Sequence, residues 1–126
     1  MVEVAAALIW RGDKFMICQR PPHKARGLKW EFVGGKTEPG ESPAEALVRE
    51  CKEEMDITVR PVSLFCELYH EYEDLTVHLY LFNAEITEGE PRALEHNDIR
   101  FVTAKEAQNY DFCDADIEIL EKLSQI

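Results

Sequence analysis

The chain is short of basic residues: 14 Lys and Arg stand against 25 Asp and Glu, a formal net charge of −11 over 126 residues. A nucleic-acid backbone is gripped through clustered Lys and Arg, so this balance argues against a polymeric nucleic-acid partner. No apolar run approaches the roughly 20 residues that a membrane-spanning helix needs. Met1–Trp10 is too short for a secretory leader before Arg11-Gly12-Asp13, and a cytoplasmic protein with no membrane partner is expected. Cysteine is sparse, and Cys18, Cys51, Cys66 and Cys113 form no C-x-x-C pair, which favours reduced, packed thiols over disulfides or zinc ligands. Repeats and low-complexity tracts are absent. The 45% hydrophobic content with 10% aromatics is ordinary globular usage, and the length leaves room for one core, so residues 1–126 are expected to form a single domain.

What the chain does have is acid, concentrated between Gly35 and Ile57. Ser42-Pro43-Ala44-Glu45 supplies an N-cap serine, a proline at the first helical position and a capping-box glutamate, so a helix is expected from about Pro43. Ala44, Leu47, Val48, Cys51 and Met55 then form the apolar stripe of an amphipathic helix. Glu50, Glu53 and Glu54 fall at i, i+3 and i+4 and are expected to meet as one patch beside that stripe. A solvated acidic face is the plain alternative. It carries a cost, because like charges at these spacings oppose the helix by roughly 0.2–0.5 kcal/mol per pair. Glu53 and Glu54 also sit at the negative end of the helix dipole, with only Arg49 close by to offset them. A hard divalent cation would turn the repulsion into coordination, and oxygen donors suit magnesium or manganese better than zinc.

Ahead of this helix, Lys29-Trp30-Glu31-Phe32-Val33 reads as a short strand and Gly34-Gly35 as a tight turn that lets backbone approach a ligand. The whole order resembles the Nudix box, Gly-x5-Glu-x7-Arg-Glu-U-x-Glu-Glu-x-Gly-U, where U is a bulky apolar residue. Gly35, Glu41, Arg49, Glu50, Glu53, Glu54 and Ile57 occupy its places. Cys51 replaces a larger aliphatic, and Asp56 replaces the second glycine at a left-handed helix end that aspartate tolerates at modest cost.

The resemblance runs over nearly the whole chain and is closest to MutT-like pyrophosphohydrolases. It implies an α+β fold, an α/β/α sandwich around a central mixed sheet. Glu3–Trp10 and Lys14–Arg20 read as a hairpin, Arg60–Tyr72 and Leu75–Ile86 as long half-buried strands, Asp98–Val102 as a further strand, and Ala115–Leu123 as a last helix. Thr103–Ala107 opens a helical turn, and Thr87–Arg92 is expected as a mobile loop.

Three outlying positions match as well. Arg20, in Cys18-Gln19-Arg20-Pro21, resembles an arginine directed at substrate phosphates, or is a surface arginine beside a turn. Glu95, in Leu94-Glu95-His96, resembles a further metal ligand or base, or is a loop acid. Asp116 resembles a residue that reads the base edge, or is a helix cap.

The resemblance implies Mg2+, with Mn2+ as a substitute, held by the Gly34 carbonyl, Glu50, Glu53, Glu54 and Glu95. Gly34, Gly35, Arg20 and Asp116 would bind substrate. Glu53 is the first choice to activate water and Glu95 the second, with Arg49 orienting the glutamates. The implied reaction is hydrolysis of a nucleoside triphosphate at the β-phosphorus to the monophosphate and pyrophosphate. An oxidised guanine triphosphate such as 8-oxo-dGTP is favoured, in the manner of nucleotide-pool sanitation that spares DNA repair. CTP or a modified dCTP is the alternative, and a module that binds nucleotide without hydrolysing it is the reading of another class. The protein would act as a monomer or homodimer. Trp30, Tyr80 and Phe82 either stack on a base or fill the core.

Overall fold

A computed structural model describes Met1–Ile126. Its elements in chain order are β1 (Val2–Arg11), β2 (Lys14–Gln19), β3 (Trp30–Glu31), β4 (Gly34–Lys36), α1 (Pro43–Met55), β5 (Thr58–Glu71), β6 (Thr76–Glu88), β7 (Asp98–Val102), α2 (Ala104–Ala107) and α3 (Asp114–Leu123). The strands form one mixed sheet in the order β3-β2-β1-β6-β5, with β4 added to β1 and β7 to β2. β1 and β6 run parallel and every other pairing is antiparallel. No helix is long and apolar enough to cross a membrane.

The centre of the sheet explains the layers. β1 is apolar at successive positions because both of its faces are covered. Ala5, Ala7 and Ile9 pack with Leu47, Cys51 and Met55 of α1, while Ala6 and Leu8 join Phe15, Ile17, Ile119 and Leu123 on the α3 side. Two cores on opposite faces of one sheet give the α/β/α sandwich that the sequence led us to expect. Trp30 and the other large aromatics near it are structural: Trp30 is 7% exposed and sits edge-on to Tyr110. Phe82 packs against the α1-side core.

α1 begins as its local sequence dictates. Ser42 Oγ accepts from the Glu45 N–H at 3.1 Å and Glu45 Oε1 accepts from the Ser42 N–H at 2.9 Å, the reciprocal capping box. It ends at Asp56 in the left-handed conformation, φ 54°, where Lys52 pairs with the aspartate at 3.0 Å and removes some of the cost of a non-glycine residue.

Two expectations about local structure are corrected. Gly34-Gly35 is not a turn but the start of β4, with Gly35 opposite Ala5 and Gly34 opposite Ala6. The glycines are required by proximity: a Cβ on Gly34 would stand 2.0 Å from the Ala5 carbonyl oxygen. The Thr87–Arg92 segment is also less loose than a mobile loop. Thr87 and Glu88 extend β6, and the Arg92 N–H donates to the Met55 carbonyl at 3.0 Å.

Candidate active site

A cavity of about 390 Å³ lies where β4, the C-terminal half of α1 and the start of α3 converge. Arg20, Glu31, Gly34, Gly35, Glu50, Glu54 and Asp116 line its polar side, and Val4, Tyr72, Leu75, Val77 and Leu79 its apolar side. A small convergent set of polar groups against an apolar wall is the usual build of a small-molecule site.

At the acidic end, Glu50 and Glu54 are one helical turn apart on the stripe that faces β4. Gly35 makes room for Glu50, since a Cβ there would stand 2.5 Å from the Glu50 carboxyl carbon. Burial, and after it the charges of Glu50 and Glu31, push the Glu54 carboxyl up to about 8. Glu54 Oε1 is buried with no hydrogen-bond partner. An all-oxygen donor set, a glycine cradle and an orphaned buried carboxyl oxygen together fit a hard divalent cation, which would supply both the missing partner and the missing positive charge. The solvated-face alternative does not describe Glu50 and Glu54.

Glu53 stands at the edge of the expected patch. It remains an i+3 neighbour of Glu50 and shares Arg49 Nη1 with it. Its side chain is 57% exposed at the rim and lies outside the cavity lining. Glu95 is likewise outside, 54% exposed and 3.8 Å from Lys24 Nζ.

Arg49 braces this end from beneath. Its Nε and Nη2 grip the two oxygens of Glu41 at 2.8 and 2.9 Å, Nη1 donates to Glu50 at 2.8 Å and to Glu53 at 3.2 Å, and Nη2 also donates to the Lys36 carbonyl at 3.0 Å. The bond to Arg49 holds the Glu41 carboxyl down at about 2, and the same bond holds the guanidinium above its ordinary value. Arg49 therefore orients glutamates through ion pairs, and Glu41 anchors Arg49 between the β4 backbone and α1.

Glu31 is the residue that sequence reasoning missed. Arg20 Nη1 donates to Glu31 Oε1 at 2.9 Å, His96 Nε2 lies 3.0 Å from Oε2, and Arg20 Nε donates to the Ala25 carbonyl at 2.8 Å. Arg20 is thereby held over the cavity with a defined direction. A glutamate in a short strand reads as solvent-facing, and only its alternation with the buried Trp30 and Phe32 could have placed it opposite the core. The Cys18, Glu31 and His96 donor atoms also gather within 4.8 Å of one another. Arg20 and His96 already hold the Glu31 carboxylate, and burial keeps the Cys18 thiol protonated, so this group is a packed polar cluster.

Asp116, on the first turn of α3, is 8% exposed, and burial, followed by Glu31, pushes its carboxyl well above the usual range. It is not a helix cap: the N-cap of α3 is Cys113, which makes no side-chain cap bond. The backbone N–H of Ala115 is satisfied instead by Tyr72 Oη at 3.0 Å.

Residues 5–122 match the profile of the NUDIX domain. The chain is 36% identical over 121 residues to CTP pyrophosphohydrolase of Escherichia coli (strain K12), covering 96% of this chain and 90% of that protein. It is 32% identical over 126 residues to 8-oxo-dGTP diphosphatase of the same organism, covering 99% and 98%. Among solved structures, the E. coli ORF135 protein superposes with a TM-score of 0.82 at 36% identity, over 96% of this chain and 86% of that one. The MutT protein of Methanosarcina mazei Go1 superposes with a TM-score of 0.87 at 23% identity, over 98% and 93%, a likeness of fold.

Proposed function

The chain belongs to the Nudix family, and on that premise we propose that it hydrolyses a nucleoside triphosphate to the monophosphate and pyrophosphate in the cavity between α1 and α3. The observation that carries the reading is the polarity of that cavity. Glu50 and Glu54 line it together with Arg20, Glu31 and the buried Asp116, whose carboxyl burial holds above its usual range. A metal-bound triphosphate and a base need such a set of groups.

Magnesium, or manganese in its place, would be held by Glu50 and Glu54 with the Gly34 carbonyl, and by Glu53 and Glu95 reaching in from the rim; when bound it neutralises phosphate charge and polarises the phosphoryl oxygens. Arg20, fixed by Glu31, binds phosphate oxygens in a set direction. Glu53 is suited to take the proton of the attacking water at Oε1, since Arg49 uses only Oε2 and the exposed rim lets the proton leave to solvent. Attack at the β-phosphorus places the water oxygen in pyrophosphate. The apolar wall of Val4, Val77 and Leu79 excludes water from the base.

Asp116 also explains why two substrates stay close. When protonated, the state that burial favours, its carboxyl would donate through its O–H and accept through its C=O, and so pair with a base edge that presents a donor beside an acceptor. 8-Oxoguanine offers N7–H beside O6, and cytosine offers its N4 amino group beside N3. Unoxidised guanine offers two acceptors, N7 and O6, on that edge but also N1–H beside O6, so Asp116 would separate it from 8-oxoguanine only by facing the N7 edge. We favour 8-oxo-dGTP, with CTP or a modified dCTP second, and place the protein in the cytoplasm as a nucleotide-pool enzyme. A pyrophosphate-release screen over canonical, oxidised and methylated nucleotides, with magnesium and with chelator, tests the reading. Release from 8-oxo-dGTP or CTP but not dGTP is expected; nucleotide binding without release would instead identify a non-hydrolytic module.

A further inference from the structure

The first turn of α3 carries Asp116 but lacks a capping side chain of its own. Helix starts leave N–H groups without partners; the Cys113 carbonyl accepts from the Asp116 N–H at 2.9 Å and the Ile117 N–H at 3.2 Å, but its side chain makes no cap bond. The one supplied from elsewhere in the fold is that of Ala115, which donates to Tyr72 Oη at 3.0 Å across 43 residues of sequence. Tyr72 closes the tight turn between β5 and β6, where its own N–H donates to the Leu75 carbonyl at 2.7 Å. Its ring is covered by Arg26, whose guanidinium carbon lies 4.4 Å from the ring centroid and which also pairs with Asp74 at 3.1 Å. The phenol is therefore held on three sides, by the β5–β6 turn, by the loop that follows β2, and by α3. No hydrogen bond of the fold uses its own proton, and it lines the same cavity as Asp116. Burial raises the phenol to about 12, so it stays protonated throughout the working range.

We propose that Tyr72 is a positioning residue for base selection, setting through its bond to Ala115 where Asp116 meets the nucleobase. The inference rests on the reading of Asp116 as the base contact. A peptide unit pinned at Ala115 fixes the start of the next residue, so a carboxyl that must offer its donor and acceptor in register depends on that pin. A capping residue inside α3 would serve stability alone. A cap supplied from the cavity wall ties helix placement to the wall the base rests on.

The test is Tyr72→Phe, which keeps the ring and the Arg26 stack and removes only the oxygen. The ratio of kcat/KM between the preferred nucleotide and dGTP is expected to fall about five- to tenfold, the scale of one lost hydrogen bond, with the loss in KM rather than kcat. In the double variant with Asp116→Ala the ratio should be no lower than in Asp116→Ala alone, because the two residues act as one unit. Hydrogen exchange at the Ala115 amide should also accelerate in nucleotide-free Tyr72→Phe. An unchanged ratio, independent multiplication of the two effects, or unchanged Ala115 exchange would each overturn the assignment. Dissociation constants for the same nucleotides are measured in parallel: a wild-type protein that releases no pyrophosphate sinks the proposed reaction, while the ratio of dissociation constants still scores Tyr72, and absence of any base discrimination sinks Tyr72 too.

Discussion

Replacing Glu54 by glutamine should make the metal-free protein more stable while removing its response to magnesium. In the folded chain the Glu54 carboxyl is held at about 8 against an ordinary value of 4.5, chiefly by burial and then by Glu50 and Glu31. Between those two values the folded state keeps a proton that the unfolded chain has released, so stability falls as pH rises through that window, by about 1.4 kcal/mol per unit. The cost is near zero at pH 4.5, about 3 kcal/mol at pH 7 and about 5 kcal/mol above pH 8. Glutamine has nearly the same shape and no charge to bury at any pH. Glu54→Gln in chelator should therefore melt close to the wild type at pH 4.5 and roughly 10 °C above it at pH 7, taking a few degrees per kcal/mol for a domain of this size. Magnesium should then raise the wild-type melting temperature at pH 8 far more than that of the variant, because only the wild type regains a charged ligand. Thermal unfolding of both proteins over that pH range, with chelator and with magnesium, measures all three quantities. A melting difference independent of pH, or a variant less stable than wild type in chelator at pH 8, would refute the reasoning.

Arg49→Lys cannot reproduce the two-oxygen grip on Glu41 or the shared bonds to Glu50 and Glu53; magnesium affinity and turnover should fall roughly 10–100-fold, read by activity against magnesium concentration. Glu53→Gln should lose orders of magnitude in kcat with an unchanged circular-dichroism melt, since the residue is exposed at the rim, and wild-type turnover would remove it from the reaction. The two glycines should separate cleanly by unfolding: Gly34→Ala meets the Ala5 backbone and should cost several kcal/mol, whereas Gly35→Ala meets a side chain that can move and should chiefly weaken magnesium binding. Asp116→Ala should change the order of preferred bases more than the rate on a generic triphosphate, and Asp116→Asn, whose amide also donates and accepts, should keep the order; unchanged relative rates in the alanine variant would leave Asp116 without a part in base choice.

The helix that carries the proposed metal site could be drawn residue by residue from sequence because its signals are local. Ser42, Pro43 and Glu45 cap it, Asp56 ends it, and Glu50, Glu54 and Arg49 follow from helical spacing. Spacing also put Glu53 beside Glu50, with which it shares Arg49 Nη1, but could not tell that it lies exposed at the rim while Glu50 and Glu54 line the cavity. Gly34-Gly35 misled in a different way. Two glycines signal either positive φ or close approach, and only the neighbouring β1 backbone, remote in sequence, decides between them. The contacts that organise the rest of the site join residues far apart in the chain: Arg20 with Glu31, Glu31 with His96, and Tyr72 with the start of α3. No local pattern encodes such pairs. The burial of Asp116, which separates a helix cap from a base contact, arises from the sheet packed against α3 rather than from its own neighbours.

The most direct test of the central claim is to follow the products and the water oxygen when purified protein is given 8-oxo-dGTP or CTP with magnesium in 18O-labelled water. The account predicts nucleoside monophosphate and pyrophosphate in equal amounts, the label in pyrophosphate, and no products when the metal is chelated. Nucleoside diphosphate with inorganic phosphate, label in the monophosphate, or turnover that survives chelation would contradict it.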